Sequence, residues 1–420
     1  MNTIQKQYGT FDILPDKVKV WQYVESVIRK ITVNYGFDEI RFPTFESTEL
    51  FTRSVGGTTD IVQKEMYTFN DRDKRSLSLR PEGTACVVRS IIENGLVFNA
   101  MPLKLYYIAN FFRHEKAQKG RSREFWQFGI EIFGSDSPSA DATAIMLANS
   151  VFTALGVKDV KLHLNSIGCD ECRPAYREKL VEYLTANSEA LCPICKERLQ
   201  TNPLRVLDCK IDSCKKVSEN APKSTDHLCS DCDEHFKQLQ QLLTECGVDF
   251  VIDTNIVRGL DYYTKTVFEF IDESIGAQST VCGGGRYSKL VEILGGPKTD
   301  AVGFGMGITR LLAAMENSGS IPELKSAPKL YIAPIGNRAK QKAFILTEVL
   351  RANKIYAECD LCNRSVKAQM KYADKIGAEA VIVMGDNELD IGKAQIKNMQ
   401  TGESKETELT SEALINLLNF

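Results

Sequence analysis

Apolar residues recur along this chain at two spacings, and the changes between the spacings mark predicted helices and strands. Trp21 and Ile28 belong to a three-to-four-residue repeat that predicts a helix over residues 16–34. A strand over residues 37–43, which ends at a proline, should follow that helix. From about residue 327 the pattern becomes strand, helix, strand, helix, strand, which predicts a compact α/β domain.

The strand pattern is clearest in the hairpin predicted over residues 111–134. Along its second arm large apolar residues alternate with others, so Gln127, Gly129 and Glu131 should share one face while Trp126 points toward a core. The loop is cationic, with five basic side chains, Arg113, Lys116, Lys119, Arg121 and Arg123. This pattern favours a phosphate-bearing ligand over the arginines, with a polar ligand group held by Gln127 and Glu131. The alternative is a solvated basic turn.

A second polar pair is predicted where a strand gives way to a helix. Pro81 restricts the backbone and Gly83 lets it turn sharply, so Glu82 and Thr84 should be displayed at the junction. A carboxylate beside a hydroxyl suits an α-ammonium group. The alternative is that Glu82 only caps the helix that follows.

Two further strings lie about 20 residues apart, IVRGLDYYT over residues 256–264 and CGGGRY over residues 282–287. Arg258 offers a fixed cation with a planar fork of donors. Tyr262 and Tyr263 offer hydroxyls at the ends of aromatic walls. The three glycines remove side chains where a flat ligand could lie against the backbone.

In this order the strings resemble those of the class II aminoacyl-tRNA synthetases. The helix and strand at 16–43 resemble motif 1, the hairpin at 111–134 resembles motif 2, and the alternating glycines at 301–307 followed by Arg310 resemble motif 3. The string LRPEGT at 79–84 and the two strings above are similar to segments of bacterial histidyl-tRNA synthetases. The resemblance covers nearly the whole chain.

The resemblance implies an α+β fold in two domains. A catalytic domain over residues 1–325 would be built on a mixed, mainly antiparallel sheet, with a helical subdomain inserted at about residues 169–248 that contacts the acceptor arm of tRNA. An α/β anticodon-binding domain would occupy residues 326–420. The motif 1 unit implies a homodimer. The implied substrates are histidine, its tRNA and ATP, with Mg²⁺ bridging phosphate oxygens.

The implied reaction has two steps. The histidine carboxylate attacks the α-phosphate of ATP and releases pyrophosphate, and the terminal ribose of tRNA then takes histidine from the adenylate. The resemblance assigns catalysis to Arg113 and Arg258. It assigns histidine binding to Glu82, Thr84, Gln127, Glu131, Arg258, Tyr262 and Tyr263. It assigns ATP binding to Arg113, Glu115, Arg121, Phe125 and Arg310, with Phe125 stacking on adenine.

Cysteine content adds a feature that the resemblance does not explain. Eight of the 13 cysteines form four closely spaced pairs, Cys169 with Cys172, Cys192 with Cys195, Cys209 with Cys214, and Cys229 with Cys232. In a reducing compartment such pairs favour zinc over disulfides. Reduced, partly buried thiols are an equal alternative, and the sequence does not say which pairs combine.

Charge and hydropathy narrow the function classes. The formal net charge is −3, so any RNA contact must come from local basic patches. No apolar run is long enough to cross a membrane and no signal pattern opens the chain, so we expect a cytoplasmic protein. Two rival functions are a regulatory paralogue of histidine biosynthesis, which would lose Arg258, and a class II synthetase for another amino acid, which would lack the RGLDYY string. Tyr8, His114 and Trp126 depart from the family pattern.

Overall fold

The computed structural model describes residues 3–56, 59–118, 120–257, 262–276, 279–324 and 326–418. The chain divides into two compact units, and the division falls after Pro322. Both units combine helices with a central sheet, so the predicted α+β class is confirmed. Within the part of the chain that is described, no helix is both long enough and apolar enough to span a bilayer.

An eight-stranded sheet forms the centre of the first unit. The strands of this unit are β1 (Asp38–Glu39), β2 (Phe45–Ser47), β3 (Thr68–Asn70), β4 (Ser76–Leu79), β5 (Leu103–Phe112), β6 (Glu124–Phe133), β7 (Lys161–Ser166), β8 (Phe250–Ile252), β9 (Thr264–Ile271), β10 (Thr280–Arg286) and β11 (Ala301–Gly307). The large sheet has the order β1-β5-β6-β11-β10-β9-β7-β8, and β2-β4-β3 form a small separate sheet. In the large sheet only the outer pairs, β1 with β5 and β7 with β8, are parallel. The predicted mixed, mainly antiparallel sheet is therefore confirmed.

Helices pack on both faces of the large sheet. They are α1 (Pro15–Asn34), α2 (Thr48–Ser54), α3 (Thr84–Glu93), α4 (Pro138–Ala154), α5 (Arg173–Ala186), α6 (Pro193–Thr201), α7 (Asp212–Glu219), α8 (Ser230–Glu245), α9 (Leu290–Ile293) and α10 (Ile308–Asn317). One face of the sheet packs against α1, α4, α8 and α10 in a single apolar core. The other face packs against α3 and the helices α5 to α7. This second face carries the predicted site residues.

Predicted and observed elements differ most at the first strand. The helix expected over 16–34 begins one residue earlier, and Gly36 follows its end with a positive φ of 71°. The strand expected over 37–43 pairs with β5 only over the two residues of β1, although β5 itself continues to Phe112. Trp126 points to the α1 side, where its ring lies 6.3 Å from that of Trp21.

The helices α5 to α8 form the insertion between β7 and β8. The eight paired cysteines lie in or beside these helices, in two groups of four. The glycine string that sequence analysis treated as a ligand-facing surface is the interior of β10, hydrogen-bonded between β9 and β11. A Cβ on Gly284 would lie 2.1 Å from the carbonyl oxygen of Gly303, so close strand contact requires glycine there.

The second unit is a small α/β domain. Its elements are β12 (Leu330–Pro334), α11 (Asn337–Ala352), β13 (Ala357–Cys359), α12 (Val366–Lys375), β14 (Ala380–Met384), α13 (Asp386–Ile391), β15 (Lys393–Asn398), β16 (Ser404–Glu408) and α14 (Ser411–Leu418). The sheet order is β13-β12-β14-β15-β16, parallel over the first three strands and antiparallel over the last three. Helices α13 and α14 are additions to the predicted pattern.

Candidate active site

One face of β6 carries a row of predicted site residues. Phe125, Gln127, Gly129 and Glu131 alternate with Phe128, Ile130 and Ile132, which are buried in the core on the opposite side. The six-residue separation of Phe125 and Glu131 corresponds to about 20 Å along a strand. The row therefore has two ends, which we call the carboxylate end, at Glu131, and the arginine end, at Phe125.

At the carboxylate end Glu131 is almost completely enclosed, with 1% of its surface exposed. The hydroxyl of Thr84 donates to its Oε1 at 2.8 Å, and the hydroxyl of Tyr287 donates to its Oε2. Burial raises the pKa of Glu131 to about 8, although both hydrogen bonds act in the other direction. This carboxyl group is thus held in place by two neutral donors and has no cationic partner among these contacts.

Two glycines on β11 make room for the side chains of β6. Gly303 pairs with Glu131 in the sheet, and a Cβ on Gly303 would lie 2.0 Å from Glu131 Oε2. A Cβ on Gly305 would lie 3.4 Å from Gln127 Nε2. In the sequence these alternating glycines carried the resemblance to motif 3. The structure gives Gly303 the further role of admitting the Glu131 carboxylate.

An aromatic wall stands beside Glu131. The ring of Tyr262 lies 4.8 Å from that of Tyr263 and 5.5 Å from that of Tyr287, and all three side chains are buried. Burial raises the pKa of Tyr262 and of Tyr287 well above the usual value for tyrosine. Sequence analysis missed Tyr287, although it ends the CGGGRY string that was singled out.

Tyr107 is a second residue that the sequence did not single out. It lies on β5 opposite Gly129, and a Cβ on Gly129 would lie 2.3 Å from its ring. A Cβ on Gly83 would meet the same ring at 2.4 Å. Tyr107 therefore occupies the space between β6 and the start of α3, and its only signal in the sequence was the pair of glycines that face it.

Glu82 caps α3. Its carboxylate accepts hydrogen bonds from the backbone N–H groups of Thr84 and Ala85, both at 2.8 Å. Burial raises the pKa of this carboxyl, and the two backbone donors oppose the shift. Glu82 therefore does form a cap at the start of α3. A role for Glu82 in binding an amino group stays a prediction.

At the arginine end Arg113 is fixed by three contacts. Its Nε donates to the carbonyl oxygen of Pro81 at 2.9 Å, its guanidinium carbon lies 5.2 Å from the ring centroid of Phe125, and its Nη1 lies 3.8 Å from Glu115. Glu115 also pairs with Arg121 at 3.1 Å. One carboxylate therefore holds two guanidinium groups beside the Phe125 ring.

Arg310 joins this group from the start of α10. Its Nη1 donates to the carbonyl oxygen of Thr280 at 2.7 Å, and its Nε donates to that of Gly120 at 3.3 Å. Burial lowers the pKa of Arg310, and the positive charge of Arg121 lowers it further. Because these cations repel one another, an anion bound between them would relieve that repulsion and be held favourably.

Two further side chains, Glu65 and Arg123, lie near this group. Burial raises the pKa of the Glu65 carboxyl, and the negative charge of Glu115 adds to the shift. The guanidinium of Arg123 lies 5.2 Å from the ring of Tyr8, so this loop cation packs on the N-terminal segment. Arg258, which sequence analysis placed among the catalytic residues, and Lys119 lie outside the described residues.

The sheet order, with a basic hairpin on β5 and β6 and a glycine-rich β11 leading into an arginine-bearing helix, is that of a class II aminoacyl-tRNA synthetase. The family model described as "Histidyl-tRNA synthetase" matches residues 9–311, and the model described as "Anticodon binding domain" matches residues 329–419. The chain belongs to the histidyl-tRNA synthetase family.

Individual relatives agree over the full length. A histidine–tRNA ligase of Acetivibrio thermocellus is 54% identical over 99% of each chain, and one of Caldanaerobacter subterraneus subsp. tengcongensis is 52% identical over 95% of each. The crystal structure of apo histidyl-tRNA synthetase of S. aureus superposes with a TM-score of 0.84 at 39% identity, covering 100% of both chains. The resemblance recognised in the sequence is confirmed.

Proposed function

We propose that this chain is a histidine–tRNA ligase, which uses ATP to form histidyl-adenylate and then transfers histidine to the terminal ribose of its tRNA. The observation that carries the proposal is the two-ended row on β6. A buried carboxylate with hydroxyl donors lies at one end, and three clustered arginines lie at the other. The row is long enough for an amino acid joined to a nucleotide.

The carboxylate end would bind the imidazole ring. Glu131 would accept a hydrogen bond from one ring N–H, and Tyr262 or Tyr263 would serve the other nitrogen. Tyr287 would orient Glu131 through the hydrogen bond that it donates. An apolar side chain of similar size would leave these buried groups unpaired, so we expect discrimination on the order of 10⁴.

The α-amino group would lie between the ends of the row. Thr84 and Gln127 would accept from it, with Glu82 supplying negative charge from its position at the start of α3. Since Glu82 already accepts two backbone hydrogen bonds, its contribution would be electrostatic rather than a new short contact. The amino group thereby fixes which way the carboxylate of histidine points.

Adenylate formation needs no side-chain nucleophile. Arg113 would hold the histidine carboxylate and the α-phosphate together, and Phe125 would stack on adenine. Arg121, Glu115 and Arg310 would bind the rest of the nucleotide. Catalysis would come from positioning and from neutralising the negative charge on the phosphate oxygens. We retain Arg258 as the second cation on the α-phosphate, which is a prediction from the sequence.

The donor set at the arginine end fits Mg²⁺. Glu115 lies among the arginines, and Glu269 accepts a hydrogen bond from Thr280, the residue whose carbonyl binds Arg310. Carboxylate and phosphate oxygens are the ligands that this ion prefers. When bound, Mg²⁺ would neutralise charge on the phosphate oxygens, and the residues that would hold it are Glu115 and Glu269.

Transfer RNA would contact both units. The anticodon-binding family match supports recognition by the second unit. In the first unit a cavity of about 240 Å³ borders Tyr263 and is lined by Arg173, Arg177 and Arg205 of the insertion. These cations support a contact with the acceptor arm. We also propose a homodimer through the α1–β1 unit and action in the cytoplasm.

The test is ATP–pyrophosphate exchange measured with each of the 20 amino acids. We expect exchange with histidine only. Exchange driven by another amino acid would refute the specificity, and a folded protein without any exchange would favour a regulatory paralogue. Arg258→Ala should abolish exchange while histidine binding remains detectable by calorimetry. Arg75→Ala removes a cation from the turn between β3 and β4 and serves as its control.

A further inference from the structure

The insertion contains two clusters of sulfur atoms that the aminoacylation site does not use. Cys169, Cys172, Cys229 and Cys232 form the first, which we call the junction group. Cys192, Cys195, Cys209 and Cys214 form the second, the inner group. Within each group the four Sγ atoms all lie within 4.8 Å of one another. The fold thus joins pairs that are far apart in sequence, and it resolves which pairs combine.

The sulfur spacings match one tetrahedral ion. In the junction group the separations are 3.5 Å for Cys169–Cys172, 3.8 Å for Cys169–Cys229 and 3.6 Å for Cys172–Cys229. In the inner group Cys192 and Cys209 are 4.0 Å apart. A zinc–sulfur bond of 2.3 Å gives a tetrahedral edge of about 3.8 Å. A disulfide bond would require about 2.05 Å.

The backbone is arranged as metal-binding thiolates require. The N–H groups of Cys169 and Cys229 point to Cys172 Sγ at 3.3 and 3.4 Å, and the N–H of Cys192 points to Cys214 Sγ at 3.2 Å. Such N–H donors stabilise negative sulfur. The ligands also lie at helix starts: Cys172 precedes α5, Cys192 precedes α6 and Cys229 precedes α8. The positive ends of these helix dipoles favour thiolates.

We propose that the junction group and the inner group each bind one structural Zn²⁺ through four thiolates. Four cysteines at close two-to-four-residue pair spacing are a ligand set typical of zinc. Thiolates of a multi-iron cluster bind different iron atoms and stand further apart than these, so a single ion fits better. The assignment concerns the insertion and stands apart from the proposed aminoacylation.

The junction site would close the base of the insertion. Cys169 and Cys229 are 60 residues apart: Cys169 lies just after β7, where the chain leaves the large sheet, and Cys229 directly precedes α8, which leads back to β8. Bringing the two ends of a segment of this length together costs conformational entropy, and the metal would hold them together. The inner site would link α6 to α7 within this segment.

The junction site also lies against a residue of the candidate active site. The carbonyl oxygen of Gly168 accepts hydrogen bonds from Lys265 N at 2.9 Å and from Thr264 Oγ1 at 3.2 Å. Arg173, the next residue after Cys172, donates to the carbonyl oxygen of Tyr263. Loss of this metal should therefore disturb Tyr263 as well as the insertion.

Metal content of the full-length protein, purified without added metal and without a polyhistidine tag, tests the proposal. Mass spectrometry of the metals should find two zinc ions per chain, one for each group. A mercurial thiol reagent should release both, as read by a chromogenic zinc chelator. Less than about half an ion per chain would overturn the proposal, and so would iron in place of zinc.

Variants assign each ion to its group. Cys172→Ser and Cys195→Ser should each lower the zinc content from two ions to one, and Cys172→Ser should also raise the KM for histidine several-fold. Cys246→Ser changes an exposed cysteine outside both groups and should keep two. If a variant does not fold, Co²⁺-substituted wild type replaces it: visible absorption typical of tetrahedral thiolate coordination is expected, and its absence would contradict the proposal.

Discussion

The two ends of the β6 row differ in how their ionisable side chains are partnered and exposed. At the carboxylate end Glu131 is enclosed and accepts hydrogen bonds from two neutral hydroxyl groups, those of Thr84 and Tyr287. At the arginine end Arg113, Arg121 and Arg310 are partly exposed, and repulsion within the group contributes to the lowered pKa of Arg310. The first end is held in place before a ligand arrives and selects it by geometry and by the hydrogen bonds that the ligand must complete. The second end is arranged for a polyanion and gains most when one binds.

The largest effect is expected from a substitution at the arginine end. Arg113→Gln removes the guanidinium that lies over Phe125 and donates to the carbonyl oxygen of Pro81. We expect a fall in kcat of ATP–pyrophosphate exchange by about 10³ with little change in the KM for histidine, since the charge matters most in the transition state. A fall smaller than tenfold would remove Arg113 from catalysis. Arg75→Gln is the matched control.

The carboxylate end is tested by Tyr287→Phe. This change deletes only the hydroxyl that donates to Glu131. We expect the KM for histidine to rise by up to about 10-fold, the value of one buried hydrogen bond, while the KM for ATP stays constant. Tyr331→Phe is the control, because its buried hydroxyl has no hydrogen-bond partner among the described residues. An equal effect on both KM values would contradict the separation of the two ends.

Glu131→Gln tests the carboxylate end through the thermal stability of the protein. The pKa of this carboxyl is about 8 when folded and 4.5 as a free reference. Between these values the folded state holds a proton that the unfolded state has lost, so the stability contributed by Glu131 falls as pH rises through 8. The variant should melt higher than wild type, by about 3 °C at pH 8.5 and by less near pH 5. A difference independent of pH, measured by calorimetry, would refute the assigned shift.

The smallest effect is expected from Arg121→Gln. The Arg121 side chain is 41% exposed, so water and salt screen its charge. We expect the KM for ATP to rise about threefold at low ionic strength and the difference to vanish at high salt. Arg123→Gln makes the same charge change in the same loop but at a side chain that packs on Tyr8, and it should leave exchange unaltered. A salt-independent effect of Arg121→Gln would show that it acts by direct contact.

Much of this architecture was open to prediction because it follows from periodicity. Helix α1, the alternation along β6 and the strand–helix pattern of the second unit were expected within a few residues. The length of β1 was not, because the point at which the chain leaves its neighbour β5 depends on tertiary packing rather than on local periodicity. The place of the glycine string inside β10 also depended on the neighbouring strands.

Within the candidate site, motifs indicated most residues but not their partners. Thr84 and Glu131 were both expected to bind histidine, and the fold joins them directly by a hydrogen bond. Tyr287 ended a string that was singled out for its glycines, and Tyr107 stood in a strand without any motif, so neither was assigned a role. Their roles depend on what lies opposite them across the sheet.

Residue order along the chain determined which chemical groups this protein has and on which face of a strand or helix each one lies, because backbone geometry sets those periods locally. Only the tertiary structure decided which distant groups meet: Tyr287 at Glu131, Arg310 beside the β5–β6 loop, and Cys169 with Cys229. The physical reason is that burial, hydrogen bonding and metal coordination act through space. Pairings between residues far apart in sequence are set by how sheets and helices pack.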